Sequence, residues 1–365
     1  MNTLQVGVLL PTSTVIPLGK SFRYGLKKAF SENSDINIEL TYEFIGNGSP
    51  NLIQEKARKL VEFDDIDVLV GVISNYALMY SRHFFESLNI PVLVNNLGAH
   101  VPYKEKLPNN AIINSDHLWL QAWALGHWAV NTFGKKGMVA GGVYDMAYSF
   151  AHMLDLGMTE ANQEAKWSFA VSRMPQGEDN LSDPTVVLDY VEKEQPDFLC
   201  AFFCGEEANM FLQEFVRRKL NEKIPLIGFP YLFQSASQLK LDLNVFSSTL
   251  NFGKEHLKGS SFITGLDSGP FSILGYETAQ WLYEFAKEKD KYPIQARSKR
   301  GKHTFDMNRL SGQGQVELLK CEFKSSGNEL IKHDELLRII PFDEKSIQKS
   351  AVDVTSAWFN PYLSL

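Results

Sequence analysis

The sequence lacks the features that would commit it to several common functions. Three cysteines, Cys200, Cys204 and Cys321, are spread over 365 residues. They form neither a disulfide framework nor a metal-ligand spacing. Cys200 and Cys204 fall at opposite ends of one strand-like run, too far apart to bridge, and all three read as buried thiols. No apolar run is long enough to cross a bilayer, so direct membrane insertion is not expected. No export segment precedes the strand-like stretch 4–10; either one has been removed, which makes the protein periplasmic, or the protein is cytoplasmic. Basic residues are outnumbered, 36 Lys and Arg against 43 Asp and Glu, for a net charge of -7. No basic run exceeds Ser298-Lys299-Arg300, so no nucleic-acid partner is expected.

Catalytic constellations are also incomplete. There is no nucleophile elbow and no two-histidine helical metal pair; His117 and His127 lack the i,i+4 spacing. Glu206 and Glu207 are sequence neighbours at a helix start, so their side chains diverge. Gly19-Lys20-Ser21 matches only the end of a phosphate-binding loop, with Thr14 where the first glycine belongs. Gly46-Asn47-Gly48 lacks the third glycine of a dinucleotide turn, having Asn51 there, and follows the second strand rather than the first. No catalytic residue, metal or cofactor is expected, and the chain does not read as an enzyme.

What is present is a long alternation of strands and helices. At 44% hydrophobic and 22% charged the chain is globular, and its length suits two lobes. Strands at 4–10, 36–44, 68–70 and 92–94 alternate with helices at 19–30, 51–63 and 76–88, which predicts a parallel sheet with right-handed crossovers. A second series follows: strands at 137–143, 166–173, 198–203 and 224–228, with helices at 149–163, 184–194 and 209–220. Trp119, Trp123 and Trp128 on a helix over 118–133 read as lobe packing. The basic loop 299–303 reads as solvated surface. Residues 67–100 carry the strongest pattern. Two buried strands end in Ser74-Asn75 and in Asn95-Asn96-Leu97-Gly98, on what should be one sheet edge. In open parallel sheets, ligands bind outside such carboxyl ends. Ser74 or Asn75 would cap the following helix, whose first amides favour an anion or carbonyl.

The order of Gly71, Ser74, Ala77, Ile90 and Pro91 along these elements resembles type I periplasmic solute-binding proteins, in the leucine/isoleucine/valine-binding branch of ABC importers. Further matches are Tyr144-Asp145-Met146-Ala147-Tyr148, Cys204-Gly205-Glu206-Glu207-Ala208, Gly275-Tyr276-Glu277-Thr278-Ala279, and a Phe305-Asp306 turn running to Gly314. The resemblance implies an α/β fold of two Rossmann-like lobes with parallel sheets, joined by a three-segment hinge. Lobe one would be 1–116 and 251–322, and lobe two 117–250 and 323–365, with the tail beyond residue 323 near the hinge. The implied function is a receptor that captures a small solute, amino-acid-like or an aromatic or amide compound, for an ABC permease. Lobe one would supply Ser74, Asn75, Tyr76, Asn95, Asn96 and Gly98, with Thr12 and Ser13 walling the site. Lobe two would supply Tyr148, Cys204, Glu206 and Tyr231. Two departures count against a plain α-amino acid. Ala99 stands where the family has a threonine, and the aromatic stretch 229–233 has no carboxylate. A less polar or aromatic ligand suits such a site. The alternative is a cytosolic small-molecule sensor of the same fold, acting through a regulatory protein partner.

Overall fold

The computed structural model describes residues 3–14, 16–32, 37–172, 183–251, 269–288, 291–298, 300–307, 315–325, 344–351, 354–362 and 364. The last residue of the expected strand 166–173, Lys299, the 308–314 half of the Phe-Asp turn and residues 326–343 of the tail lie outside them. The chain divides into two compact units. One comprises Met1–Leu118, Asn251–Gly314 and Trp358–Leu365; the other comprises Trp119–Leu250 and Gln315–Ala357.

In chain order the first run is β1 (Leu4–Leu10), α1 (Leu18–Glu32), β2 (Ile38–Phe44), α2 (Pro50–Phe63), β3 (Val68–Val72), α3 (Asn75–Tyr80), α4 (Arg82–Ser87), β4 (Val92–Asn96) and β5 (Ala111–Ser115). Then come α5 (Leu118–Phe133), β6 (Lys136–Gly141), α6 (Ser149–Ala161), β7 (Lys166–Val171), α7 (Thr185–Glu194), β8 (Phe198–Phe202), α8 (Gly205–Arg217), β9 (Leu226–Gly228), α9 (Pro230–Gln238) and β10 (Leu243–Asn251). The last are α10 (Pro270–Lys287), β11 (Ile294–Ser298), β12 (Gly301–Phe305), β13 (Gln315–Phe323) and α11 (Glu344–Ser350).

The first unit holds a parallel sheet in the order β2-β1-β3-β4-β5. The central apolar strands β3, β4 and β5 are buried along their whole length. The alternating β2 lies at the edge, half-buried, as its mixed composition requires. The strands run further than their apolar cores. β3 continues through Gly71 to Val72, and β4 takes in Asn95 and Asn96. The expected single helix after β3 is two short ones, broken at Ser81. The buried Ser81 hydroxyl accepts from Gln54 of α2 at 2.9 Å, while Phe85 one turn on fills the core.

The second unit holds the sheet β13-β10-β9-β8-β6-β7, parallel from β10 through to β7. The helix expected over 118–133 spans those residues. α9 begins at the proline of the aromatic stretch, a first-turn position that suits proline. The tail does not stay in the second unit, where the sequence reading assigns it; Trp358–Leu365 belong to the first.

A glycine pair sets a close helix crossing in each unit. A Cβ on Gly25 of α1 would overlap the Ser272 carbonyl of α10, and one on Gly275 would overlap the Phe22 carbonyl of α1. In the second unit, Gly126 of α5 and Gly157 of α6 face the carbonyls of Leu154 and Trp123 in the same reciprocal way. Backbone then lies against backbone, so an added methyl has nowhere to go. Gly275→Ala is expected to cost about 3 kcal/mol, read as a lowered denaturation midpoint of the first unit; an unchanged midpoint would contradict this packing.

Candidate functional site

The register of the first sheet decides what stands at its carboxyl edge. Val72 lies beside Asn95, Asn95 beside Asn114, and Asn96 beside Ser115. Three amides and a hydroxyl therefore meet in the buried end of the sheet, where each needs partners. Asn96 Nδ2 donates to the Ile73 carbonyl at 2.9 Å and to Asn75 Oδ1 at 2.8 Å. Its Oδ1 accepts from the Gly98 amide at 2.9 Å and from Ser115 Oγ at 2.8 Å. All four of its bonding positions are used. Asn95 Oδ1 accepts from Asn114 Nδ2 at 3.0 Å and from Thr278 Oγ1 of α10 at 2.8 Å. Asn75 Nδ2 donates to the His100 carbonyl at 2.8 Å.

An ion pair underlies this lattice. Arg300 stands between β11 and β12, which form an antiparallel hairpin. Only 3% exposed, it donates to both carboxylate oxygens of the fully buried Glu277 at 2.9 and 2.5 Å. It also reaches the Ser115 carbonyl at 2.8 Å and Asn114 Oδ1 at 3.0 Å. The basic loop 299–303 reads in sequence as solvated surface, but Arg300 and His303 are buried. The reason is the acidic residue of the Gly275–Ala279 motif, which needs an opposite charge once inside the core. Burial pushes the Glu277 carboxyl up, but the Arg300 guanidinium outweighs it and holds the group well below the usual carboxylate range. Burial lowers His303, against the upward pull of the neighbouring Glu277 carboxylate.

The sequence-derived candidates therefore separate. Asn75 and Asn96 serve the scaffold of the first unit; Asn95 does so through Oδ1, while its buried Nδ2 has no partner among the described residues. Gly98 has φ +77°, and a Cβ there would lie 2.6 Å from the His117 Cα, so glycine is required by that approach. Ser74 does cap α3, accepting from the Ala77 amide at 3.0 Å. α3 is only six residues long, and its Ala77 amide is taken by the serine hydroxyl. The hydroxyl itself donates to the Phe359 carbonyl. Tyr76 is 40% exposed, stacked on Tyr80 with centroids 6.2 Å apart and tilted against His100 at 6.1 Å.

His100 is the residue the sequence reading missed. It follows Asn96 by four positions, in the same strand-end loop, and that placement was the available signal. Its Nε2 meets the Trp358 carbonyl at 2.8 Å. A carbonyl only accepts, so Nε2 carries the proton. Burial pulls His100 down to about 4, against the small upward effect of the Trp358 carbonyl.

In the second unit, the edge beyond β6 and β8 gathers Cys204, Asp145 and Glu207. Cys204 Sγ donates to Asp145 Oδ2 at 3.6 Å. Burial, and then the Asp145 charge, hold the thiol protonated, which disfavours it as a nucleophile. Glu207, 7% exposed, directs its carboxylate to the same place as Asp145, beside Gly142. Glu206 is more exposed and accepts from Asn209 Nδ2 at 2.9 Å. Tyr148 is buried and stacks on Phe150 at 5.8 Å; Tyr231 is buried in the first turn of α9. The aromatic stretch builds core, with Phe229 packing on Phe202 at 4.8 Å and on Phe150 at 5.4 Å. Among the described residues, no group of three or more His, Cys, Asp or Glu could hold a metal ion. No helix among them is long and apolar enough to cross a membrane.

Two outcomes follow from this chemistry. Asn96→Ala strands four buried partners and is expected to cost about 3 kcal/mol or more in a denaturant titration; a loss below about 1 kcal/mol would show that the lattice is not needed. His100 has a folded value below its ordinary 6.5, so the unfolded chain takes up the proton first on acidification. Its contribution is complete above about pH 6.5 and drains away towards pH 4, about 3 kcal/mol in all. His100→Gln keeps a donor for the Trp358 carbonyl and is expected to flatten the stability–pH curve in that window.

Solved structures share this architecture at low identity. A solute-binding protein of an ABC transporter from Rhodopseudomonas palustris, in complex with 3,4-dihydroxybenzoic acid, is 16% identical, with TM-score 0.68 over 93% of this chain and 99% of that one. Another from R. palustris, in complex with benzoate, is 18% identical, with TM-score 0.66 over 91% and 96%. A leucine-binding protein from Thermotoga maritima is 13% identical, with TM-score 0.61 over 89% and 97%. No curated protein matches the chain significantly in sequence. The family model described as periplasmic binding protein matches residues 3–260, which is most of the chain, and the protein therefore belongs to the periplasmic binding protein family.

Proposed function

We propose that this chain is the receptor of an ABC importer, capturing a small solute that carries a carboxylate or carbonyl beside an apolar or aromatic body. The observation that carries this reading is the edge beyond β3 and β4. There Ser74 Oγ and His100 Nε2 each direct a proton at an oxygen acceptor, next to the exposed ring of Tyr76. A hydroxyl and an imidazole N–H suit a carboxylate or a ketone oxygen, and a tyrosine face suits an arene. Relatives of this fold hold benzoate and 3,4-dihydroxybenzoic acid, which combine those two features. Membership of the family supports a periplasmic or extracellular place of action, with an ABC permease as the partner. The reading calls for no cofactor and no chemical step; the solute is held and released, and differential affinity shifts the conformer population.

Calorimetric titration against benzoate, 4-hydroxybenzoate, 3,4-dihydroxybenzoate and leucine tests the reading. One aromatic carboxylate is expected to bind more tightly than leucine. Tyr76→Ala is expected to weaken that binding about tenfold and to leave stability within about 0.5 kcal/mol, because the ring is exposed. Silence across all four solutes would overturn the receptor reading, and a preference for leucine would overturn the aromatic class.

A further inference from the structure

Residues 358–362 and 364 cover the strand-end edge of the first unit. Trp358 gives its carbonyl to His100 Nε2 at 2.8 Å, and Phe359 gives the next carbonyl to Ser74 Oγ. Pro361 lies on the loop after β2, where a Cβ on Gly48 would come within 2.7 Å of its Cδ. Ser364 Oγ donates to the Asn47 carbonyl at 3.2 Å. The segment is closed on itself by a turn: the Ser364 amide donates to the Pro361 carbonyl at 3.0 Å, and Asn360 Nδ2 meets Ser364 Oγ at 3.3 Å. Asn360 is 1% exposed and Tyr362 3%, so the segment is seated and not merely draped. Just before it, on the second unit, the Ala357 amide donates to the Ala147 carbonyl and Ser356 Oγ meets Ser149 Oγ, both at 2.8 Å. Those two residues flank Tyr148, at the strand-end loop of that unit.

We propose that residues 358–362 and 364 are a tethered occupant of the solute site, whose consecutive carbonyls at Trp358 and Phe359 take the donors that a solute carboxylate or carbonyl would use. This rests on the receptor reading above. Solute and segment then compete for His100 Nε2 and Ser74 Oγ. The geometry fits the exchange, because two neighbouring acceptor oxygens are replaced by two acceptor oxygens and neither donor is left unpaired in the bound state. Covalent attachment gives the segment a high effective concentration, so the apparent affinity for solute is lowered by the fraction of molecules in which the segment is seated. The competition also acts as a selectivity filter. A solute with a single weak acceptor cannot replace both bonds, whereas a carboxylate can.

The test uses the full chain. Hydrogen exchange at amides 358–362 is followed with and without saturating 4-hydroxybenzoate, and with leucine in parallel. Titrations then compare the native chain with the double variant Asn360→Ala, Tyr362→Ala, which loosens the segment without altering Ser74, Tyr76 or His100. Exchange in the segment is expected to rise at least tenfold on saturation, and the variant is expected to bind at least tenfold more tightly. Binding only by the loosened variant would also support the proposal. If solute binds both chains equally and exchange does not change, the tethered occupant is overturned and the receptor reading survives. If neither chain binds any solute, the receptor reading falls and takes the proposal with it. Exchange is measured on the native chain, so a poorly folded variant does not remove the test.

Discussion

A buried amide needs partners, and at the end of its sheet the first unit supplies them to all but one, Asn95 Nδ2 having none among the described residues. Parallel register brings Asn95, Asn96, Asn114 and Ser115 together where water cannot reach. Their bonds tie β4 to β5, to the loop of His100 through Asn75, and to α10 through Thr278. Arg300 and Glu277 extend the same lattice under β5. Breaking one member would leave the others with a desolvation cost and no return, so the whole edge behaves as a single rigid element. That rigidity holds Ser74 and His100 in place as a pair of aimed donors. Both direct protons to the carbonyls of the chain's own tail.

The helix crossings supply a second constraint. In each unit two glycines let helix backbones touch, Gly25 with Gly275 and Gly126 with Gly157. α10 is thereby clamped to α1 while its other residues enter the polar lattice. The position of Glu277, and with it Arg300, depends on a crossing made possible by residues that carry no side chain. Packing and electrostatics are linked through one helix.

Much of this could be read from the residues. Apolar runs such as Val68-Leu69-Val70 and Val92-Leu93-Val94 mark buried parallel strands, and the helices alternating with them mark the α/β class. Ser74 reads as a cap and is one. Other assignments could not be reached locally. Lys299–His303 looks like a solvated loop, because nothing within ten residues announces that Glu277 will need a buried cation. Asn75, Asn95 and Asn96 look like ligand groups, since a polar residue at a strand end is equally suited to a solute and to a neighbour. His100 stands in the strand-end loop, but its partner, the Trp358 carbonyl, lies 258 residues away.

The sequence alone determined the order of strands and helices and the absence of an apolar run long enough to span a bilayer. These follow from side-chain period and from chain-local caps, which depend on residues a few positions apart. Only the tertiary structure decided which strand-end groups are consumed by the scaffold, that Arg300 is buried, and that the tail seats on Ser74 and His100. Each of those outcomes is a pairing between groups separated by tens to hundreds of residues, and hydrogen bonds at that separation leave no period in the chain that makes them.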